Sequence, residues 1–242
     1  MPAPTHDAHP MPQDGGHEQH GLGWRIGWTL AGFAPFLAVS AVHLATKFVD
    51  DSPLDAVSKG LAMPTLALAV GGMLLTTRRK PRSVVTALLF VGLALSWLGD
   101  VTLNLSLAAG LGFFLAAHLA YIAMFQLEFP ARRPSRWTVL AVPWFLALVI
   151  QVGPSLGGML APVVLYSAIL GLMAVWASRG TATTSAGAIL FVVSDTVLAF
   201  RTFTTRLQTN VWRPIVMATY LAAQALISVG IVGARKPEGS AA

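Results

Sequence analysis

The chain has 242 residues, of which 55% are hydrophobic and 11% charged, with a mean hydropathy of +0.67. Soluble domains carry about 25% charged residues, so this chain cannot coat a globular surface with polar side chains, and a soluble enzyme is excluded. It has no Cys, which excludes disulfides, thiolate metal sites and cysteine nucleophiles together. The formal net charge of +6 does not point to nucleic acid, because the basic residues stand in short clusters between apolar runs. That pattern belongs to the edges of a membrane protein.

Residues 1–23 form a tail rich in Pro, Gly, His and Gln, too polar to bury a core and therefore expected to be disordered. Its histidines, His6, His9, His17 and His20, make two H-x-x-H pairs that read as solvated side chains rather than a metal site. Eight apolar runs follow, over 25–46, 60–77, 83–104, 107–127, 137–153, 158–178, 183–201 and 212–233. Each is close to the roughly 20 residues a helix needs to cross the hydrocarbon core. The first run is not a cleavable signal: it follows a polar tail, has no basic flank beyond Arg25 and is too long. The third and fourth runs almost touch, which predicts a tight hairpin around 104–107. The reading is an all-α integral membrane protein, a bundle of about eight transmembrane helices over 24–234 with a short tail at 235–242.

Eight spans put both termini on one side, and the distribution of Lys and Arg says which. With the N-terminus inside, the inner segments hold Arg25, Arg78, Arg79, Lys80, Arg82, Arg132, Arg133, Arg136, Arg179, Arg235 and Lys236. The outer loops hold only Lys47, Lys59, Arg201, Arg206 and Arg213, so both ends are expected to be cytoplasmic. The three Arg of the last outer loop work against the rule and invite a functional explanation. An internal echo also runs through the chain. Gly99-Asp100-Val101-Thr102-Leu103 matches Ser194-Asp195-Thr196-Val197-Leu198, and the stretch from His118 to Tyr121 matches that from Tyr220 to Gln224. Four spans per half would make these two parallel four-helix repeats.

A charged side chain inside a membrane costs a few kcal/mol or more and needs a partner or a purpose. Asp100 and Asp195 qualify, with His118, and counting along their spans puts all three in the outer half of the bilayer. Ser96, Asp100 and Asn104 share one helical stripe, as do His118 and Tyr121. On the last span Arg213, Met217, Tyr220, Gln224 and Ser228 follow one side. Hydrocarbon rejects such stripes, so they should face one another or a watered cavity holding both carboxylates. The bland alternative is an interhelical hydrogen bond at each Asp, contributing about 1 kcal/mol. His43, near the outer end of the first span, is expected at the interface. No H-E-x-x-H, Ser-His-Asp order, Gly-rich phosphate loop or zinc spacing occurs, so no metal and no cofactor is expected.

Two carboxylates in a site of low dielectric do not easily both ionise; one keeps its proton and serves as acid, the other serves as base or cation stabiliser. Such a pair suits an oxocarbenium-like path. Residue chemistry alone leaves three substrates open: an acid-labile ether in a lipid, a peptide bond, or a proton-coupled transport cycle. Against the peptide bond, Trp97 stands where the Gly-x-Gly-Asp motif of intramembrane aspartyl proteases needs its first Gly, and Ser194 precedes the second Asp where a Tyr is expected.

The chain resembles the YhhN family of multi-pass membrane proteins, which includes the lysoplasmalogenases. The resemblance rests on Lys59-Gly-Leu-Ala-Met-Pro64, Ser96-Trp-Leu-Gly-Asp100 with Leu103, Phe114 through Ala117-His118 to Tyr121, Phe191-Val-Val-Ser-Asp195 with Leu198-Ala199, and Tyr220 to Gln224. These run in order from about 59 to 228; one departure is Gly60, where the family usually carries Pro. The resemblance implies hydrolysis of the vinyl ether bond of a lysophospholipid, giving a fatty aldehyde and a glycerophospho-alcohol, with Asp100 and Asp195 as the paired aspartates. From the polar stripes, Ser96, Asn104, His118, Tyr121, Ser194, Tyr220 and Gln224 are expected to bind or orient the substrate, although a lone His118 is more often a packing residue than a catalyst. Lys59, Arg201, Arg206 and Arg213 stand where a lipid phosphate would lie, although snorkelling at the interface would explain them as well. A proton-coupled transporter using the same carboxylates is the alternative. The expected partners are membrane lipid and substrate, not nucleic acid, and the Ala- and Arg-rich composition suggests a bacterial cell membrane.

Overall fold

The computed structural model describes residues 17–49, 52–77, 80–103 and 105–234, with side chains from residue 31 onward. Every regular element among them is helical: α1 (His17–Thr46), α2 (Pro53–Thr76), α3 (Ser83–Thr102), α4 (Leu107–Glu128), α5 (Ala141–Val152), α6 (Leu160–Ala177), α7 (Ala182–Phe203) and α8 (Trp212–Val232). Short 3-10 turns at Arg136–Leu140, Gly153–Ser155 and Gly157–Met159 flank α5. Seven of the helical segments are long and apolar enough to cross a membrane, and Ala31–Thr46 of α1 is a shorter apolar stretch. Helices are what lipid permits, because each satisfies its own backbone N–H and C=O groups. The segment boundaries follow local chemistry. Ser106 caps α4 by accepting from the Ala109 amide at 3.3 Å, and Thr181 caps α7 by accepting from Thr184 at 3.1 Å.

One expectation shifts. The helix over the second apolar run begins at Pro53, about two turns earlier than hydropathy placed it. Pro at the first position and Asp55 in the first turn are favourable helix starts that an apolar count does not register. Gly60 therefore lies inside α2, where its carbonyl accepts from the Trp97 indole at 2.8 Å. Of the N-terminal tail, residues 1–16 lie outside the described residues, with His6 and His9, and the side chains of His17 and His20 are likewise outside them.

The helices close into a ring. α2 packs on α3, α3 on α4, α4 on α6, α6 on α7, α7 on α8 and α8 back on α2. α1 lies outside against α2 and α8, and α5 lies outside against α6 and α7. The ring order α2, α3, α4 of the first half is thus repeated by α6, α7, α8 of the second, while the outer helices differ, α1 reaching across to α8 and α5 staying within its own half on α6 and α7. The tightest hairpins, α3 with α4 and α7 with α8, close on glycine at corresponding places. A Cβ on Gly92 would lie 2.1 Å from the Tyr121 ring, and one on Gly187 would lie 2.9 Å from the Ala223 carbonyl. The step along the chain that carries Asp100 to Asp195 also carries Gly92 to Gly187. Between helices, where lipid supplies no hydrophobic drive, such close backbone approach is what holds the pair. The core inside the ring is built from Leu89, Leu93, Tyr121, Phe125, Leu170, Met173, Phe191 and Ile227, all fully buried.

Candidate active site

At one face of the ring the helix ends surround a cavity of about 290 Å³. Asp100, near the end of α3, and Asp195, on α7, both line it. Asp100 is 4% exposed and Asp195 is half-buried. Each carboxylate is held by a tyrosine through one oxygen only. The Tyr220 hydroxyl of α8 donates to Asp100 Oδ2 at 2.8 Å, and the Tyr166 hydroxyl of α6 donates to Asp195 Oδ2. Neither Oδ1 has a hydrogen-bond partner among the described residues, so each carboxyl keeps one oxygen for whatever enters the cavity. Ser194, beside Asp195, borders the cavity but commits its hydroxyl to the Val216 carbonyl at 2.8 Å, tying α7 to α8.

Behind this layer lies a second one that does not reach the cavity. His118 of α4 is fully buried, with Nε2 at 3.1 Å from the Tyr166 hydroxyl and its ring edge-on to Phe191 at 4.7 Å. Phe191, and Phe114 of the cavity wall, meet the Tyr220 ring edge-on at 5.5 and 5.9 Å. These T-shaped contacts fix the phenol that holds Asp100. Deeper still, Tyr121 donates to Gln224 Oε1 at 2.7 Å and Gln224 Nε2 donates to Ser96 Oγ at 2.9 Å, joining α4, α8 and α3. All three side chains are fully buried. Of the residues expected at the site, Lys59, Asp100, Ser194, Asp195, Arg201, Arg213 and Tyr220 line the cavity, whereas Ser96, His118, Tyr121 and Gln224 stand behind its wall. Asn104 lies outside the described residues.

Towards the mouth the lining turns basic, with Lys47, Lys59, Arg201 and Arg213. Arg201 donates to the Leu207 and Thr209 carbonyls at 3.2 and 3.0 Å and so shapes the turn between α7 and α8. Arg206 is exposed, donates to Gln151 at 3.2 Å and does not line the cavity. His43, expected at the interface, is instead 0% exposed. Its Nδ1 lies 3.0 Å from the Ser58 hydroxyl, on the part of α2 that hydropathy left out. Beside it Lys47 Nζ donates to Asp55 Oδ1 at 2.5 Å and Thr46 donates to the same oxygen at 2.8 Å, so this corner of the mouth is cross-linked between α1 and α2. One wall, made of Leu103, Leu107, Leu111, Phe114, Leu148, Val163, Leu170 and Met217, is apolar.

The YhhN family model matches residues 54–231, from the first turn of α2 to the last of α8. This chain belongs to the YhhN family. Curated relatives include lysoplasmalogenase TMEM86B of Sus scrofa, 32% identical over 205 residues, which cover 82% of this chain and 85% of the relative. Lysoplasmalogenase TMEM86B of Homo sapiens is 32% identical over 212 residues, covering 85% and 88%. Lysoplasmalogenase TMEM86A of Bos taurus is 30% identical over 225 residues, covering 84% and 89%. No solved structure matches the chain. This YhhN protein is an integral membrane protein, and among its described residues no three His, Asp or Glu side chains gather as metal ligands. Sequence reading missed Tyr166 as a site residue. It is one of only three Tyr in the chain; two of their hydroxyls meet the carboxylates of this YhhN site, and the third, Tyr121, meets Gln224 beneath it. Rarity and depth along its span, rather than any motif, were the available signals.

Proposed function

We propose that this chain is an intramembrane hydrolase that cleaves the vinyl ether bond of lysoplasmalogen-type lipids, releasing a fatty aldehyde and a glycerophospho-alcohol, with Asp100 and Asp195 as its acid–base pair. The observation that carries the reading is the pair itself: two carboxylates in one cavity, each anchored by a tyrosine on one oxygen and open on the other. The relatives' names supply the reaction class, and the site supplies groups suited to it. A vinyl ether is protonated at the carbon beyond the one bonded to oxygen, which leaves an oxocarbenium ion. A neighbouring carboxylate stabilises that cation and takes a proton from water as the water adds. The hemiacetal then collapses to aldehyde and alcohol.

The cavity also fits the shape of a lysolipid. Its apolar wall suits the alkenyl chain, and Lys59, Arg201 and Arg213 at the mouth suit the phosphate, with Lys47 next to them already paired to Asp55. Arg206, hydrogen-bonded to Gln151 away from the lining, has no place in this reading. The Lys and Arg distribution supports a topology with both termini on the cytoplasmic side of a bacterial cell membrane, in which the cavity faces the outer leaflet. The test is aldehyde release from a lysoplasmalogen by purified protein in detergent, beside Asp100→Asn and Asp195→Asn. Activity in the wild type and its loss by at least about 1000-fold in both variants is the expected result, on the scale of removing a general acid or base together with its charge. A transporter would release no aldehyde, and retained activity in either variant would remove the pair from the chemistry.

A further inference from the structure

The hydrogen-bond chain behind Asp195 has a direction. Tyr166 has a single hydroxyl proton and two neighbours that could accept it, Asp195 Oδ2 and His118 Nε2. His118 is fully buried and its other nitrogen, Nδ1, has no hydrogen-bond partner. An orphaned buried N–H is rarer and costlier than an orphaned acceptor lone pair. Nδ1 is therefore the bare nitrogen, the imidazole is neutral, and its proton sits on Nε2 and points at the Tyr166 oxygen. The Tyr166 proton is left with Asp195 as its only acceptor. The order is His118 Nε2–H to Tyr166 O–H to Asp195 Oδ2, and a phenol that accepts an N–H bond becomes a stronger donor.

Asp100 is held differently. Its phenol, Tyr220, has aromatic rings on both flanks and no imidazole behind it. What Asp100 has instead is the neighbouring helix α2, which packs against α3 and brings the ammonium of Lys59 into the lining of the same cavity. The remaining charged groups lining the cavity are Lys47, Arg201 and Arg213, at its mouth.

Resting on the hydrolase reading above, we propose that Asp195 is the general acid and Asp100 the base, and that His118 and Tyr166 are positioning residues that fix this division. With Oδ2 occupied by the phenol, the proton of Asp195 sits on Oδ1, the oxygen left to the cavity. It passes to the far vinyl carbon: the O–H bond breaks, the C=C electron pair forms the new C–H bond, and the carbon next to oxygen becomes the oxocarbenium. Negative charge then grows on Asp195, where the polarised phenol is already in place. An interaction that strengthens during the step is the kind that accelerates it. Asp100, anionic beside Lys59, takes a proton from the water that adds to the cation. In the collapse Asp100 returns that proton to the departing ether oxygen and Asp195 takes the hemiacetal hydroxyl proton. Both carboxyls end as they began, and the net change is vinyl ether plus water to aldehyde plus alcohol.

The experiment measures kcat and KM for aldehyde release from a 1-alkenyl lysophosphoethanolamine by the full chain in detergent. The variants are Tyr166→Phe, His118→Met, His118→Gln and the double variant Tyr166→Phe/His118→Met. Tyr166→Phe should lower kcat about 100-fold, as loss of one preorganised donor does, with KM little changed. His118→Met should lower kcat about 10-fold, and His118→Gln, which keeps an N–H donor, should restore most of it. The double variant should be no slower than Tyr166→Phe alone, because His118 acts only through the phenol. Multiplying losses, or a His118→Gln as slow as His118→Met, would make His118 a packing residue and overturn the relay. The division of roles is read separately, from deuterium entering the vinyl group of recovered substrate in D2O. Asp100→Asn should still exchange, since Asp195 can protonate and deprotonate the carbon without water being activated, and Asp195→Asn should not. Exchange in Asp195→Asn, or in neither variant, overturns the assignment. Absence of aldehyde from well-folded wild type would instead overturn the hydrolase reading, so the two failures are distinct.

Discussion

Gln224→Met is the substitution that best separates stitching from catalysis in this bundle. The change keeps side-chain length but removes the acceptor of the Tyr121 hydroxyl and the donor to Ser96. Both partners are fully buried, so no water replaces the lost amide. Leaving a buried hydroxyl unsatisfied costs about 1–3 kcal/mol, and Ser96 can recover part of its share by bonding back to its own helix. Interhelical bonds in membranes average about 0.6 kcal/mol and reach about 1.7. The expected net loss is therefore about 1–2 kcal/mol, or roughly 3–6 °C in Tm by the scaling of soluble domains of this size. Thermal unfolding in detergent, followed by tryptophan fluorescence, measures it. Tyr121→Phe should give a smaller loss, and Tyr121→Phe/Gln224→Met should be no worse than Gln224→Met, because the two side chains share one bond. At a temperature well below the transition the variant should keep most of its kcat. An unchanged Tm with a kcat lowered more than about tenfold, a loss of transition-state contacts by about 1.4 kcal/mol or more, would refute this account and return Gln224 to the substrate.

Two further outcomes follow from the packing and the charge layout. Gly92→Ala places a methyl 2.1 Å from the Tyr121 ring and should destabilise by about 1–3 kcal/mol, whereas Gly60→Ala, with open space around it, should be neutral or gain about 0.5–1 kcal/mol; the same unfolding assay compares them. Arg201→Ala and Arg213→Ala should raise KM for a phosphate-bearing lysolipid about 5–10-fold and leave that for an alkenylglycerol without phosphate unchanged, on the scale of one charge-assisted contact. Equal effects on both substrates would remove the phosphate contact.

The membrane-crossing segments were legible because hydrocarbon thickness imposes a length, and α3 begins at Ser83 and α4 at Leu107, where apolar runs begin. α2 was misjudged for the converse reason. Its first two turns carry Asp55, Ser58 and Lys59, which lower hydropathy, yet Asp55 pairs with Lys47 and Ser58 meets His43 across to the end of α1. That same omission put His43 at the interface, since its partner Ser58 lay on a helix not yet counted. Asp100 and Asp195 stood out because charge is conspicuous in an apolar run. Tyr166 did not, because an aromatic in such a run is ordinary until its hydroxyl is seen to meet a carboxylate. Periodicity also placed Ser96, Tyr121 and Gln224 on the correct faces without showing how far down each face the cavity extends. A helical wheel has no depth coordinate, and the difference between lining a cavity and lying beneath it is one of depth.

The ring is closed by two joints, α4 against α6 and α8 against α2, and each half of the chain supplies one carboxylate. The anchoring crosses between halves: the first half's Asp100 is held by Tyr220 of the second, and the second half's Asp195 is held by its own Tyr166, which His118 of the first half backs. Neither half is a working unit. Any thickening or lateral pressure of the bilayer that slides one half past the other parts Asp100 from Tyr220 and His118 from Tyr166 in the same motion, so the host membrane's mechanics bear directly on whether the site is assembled.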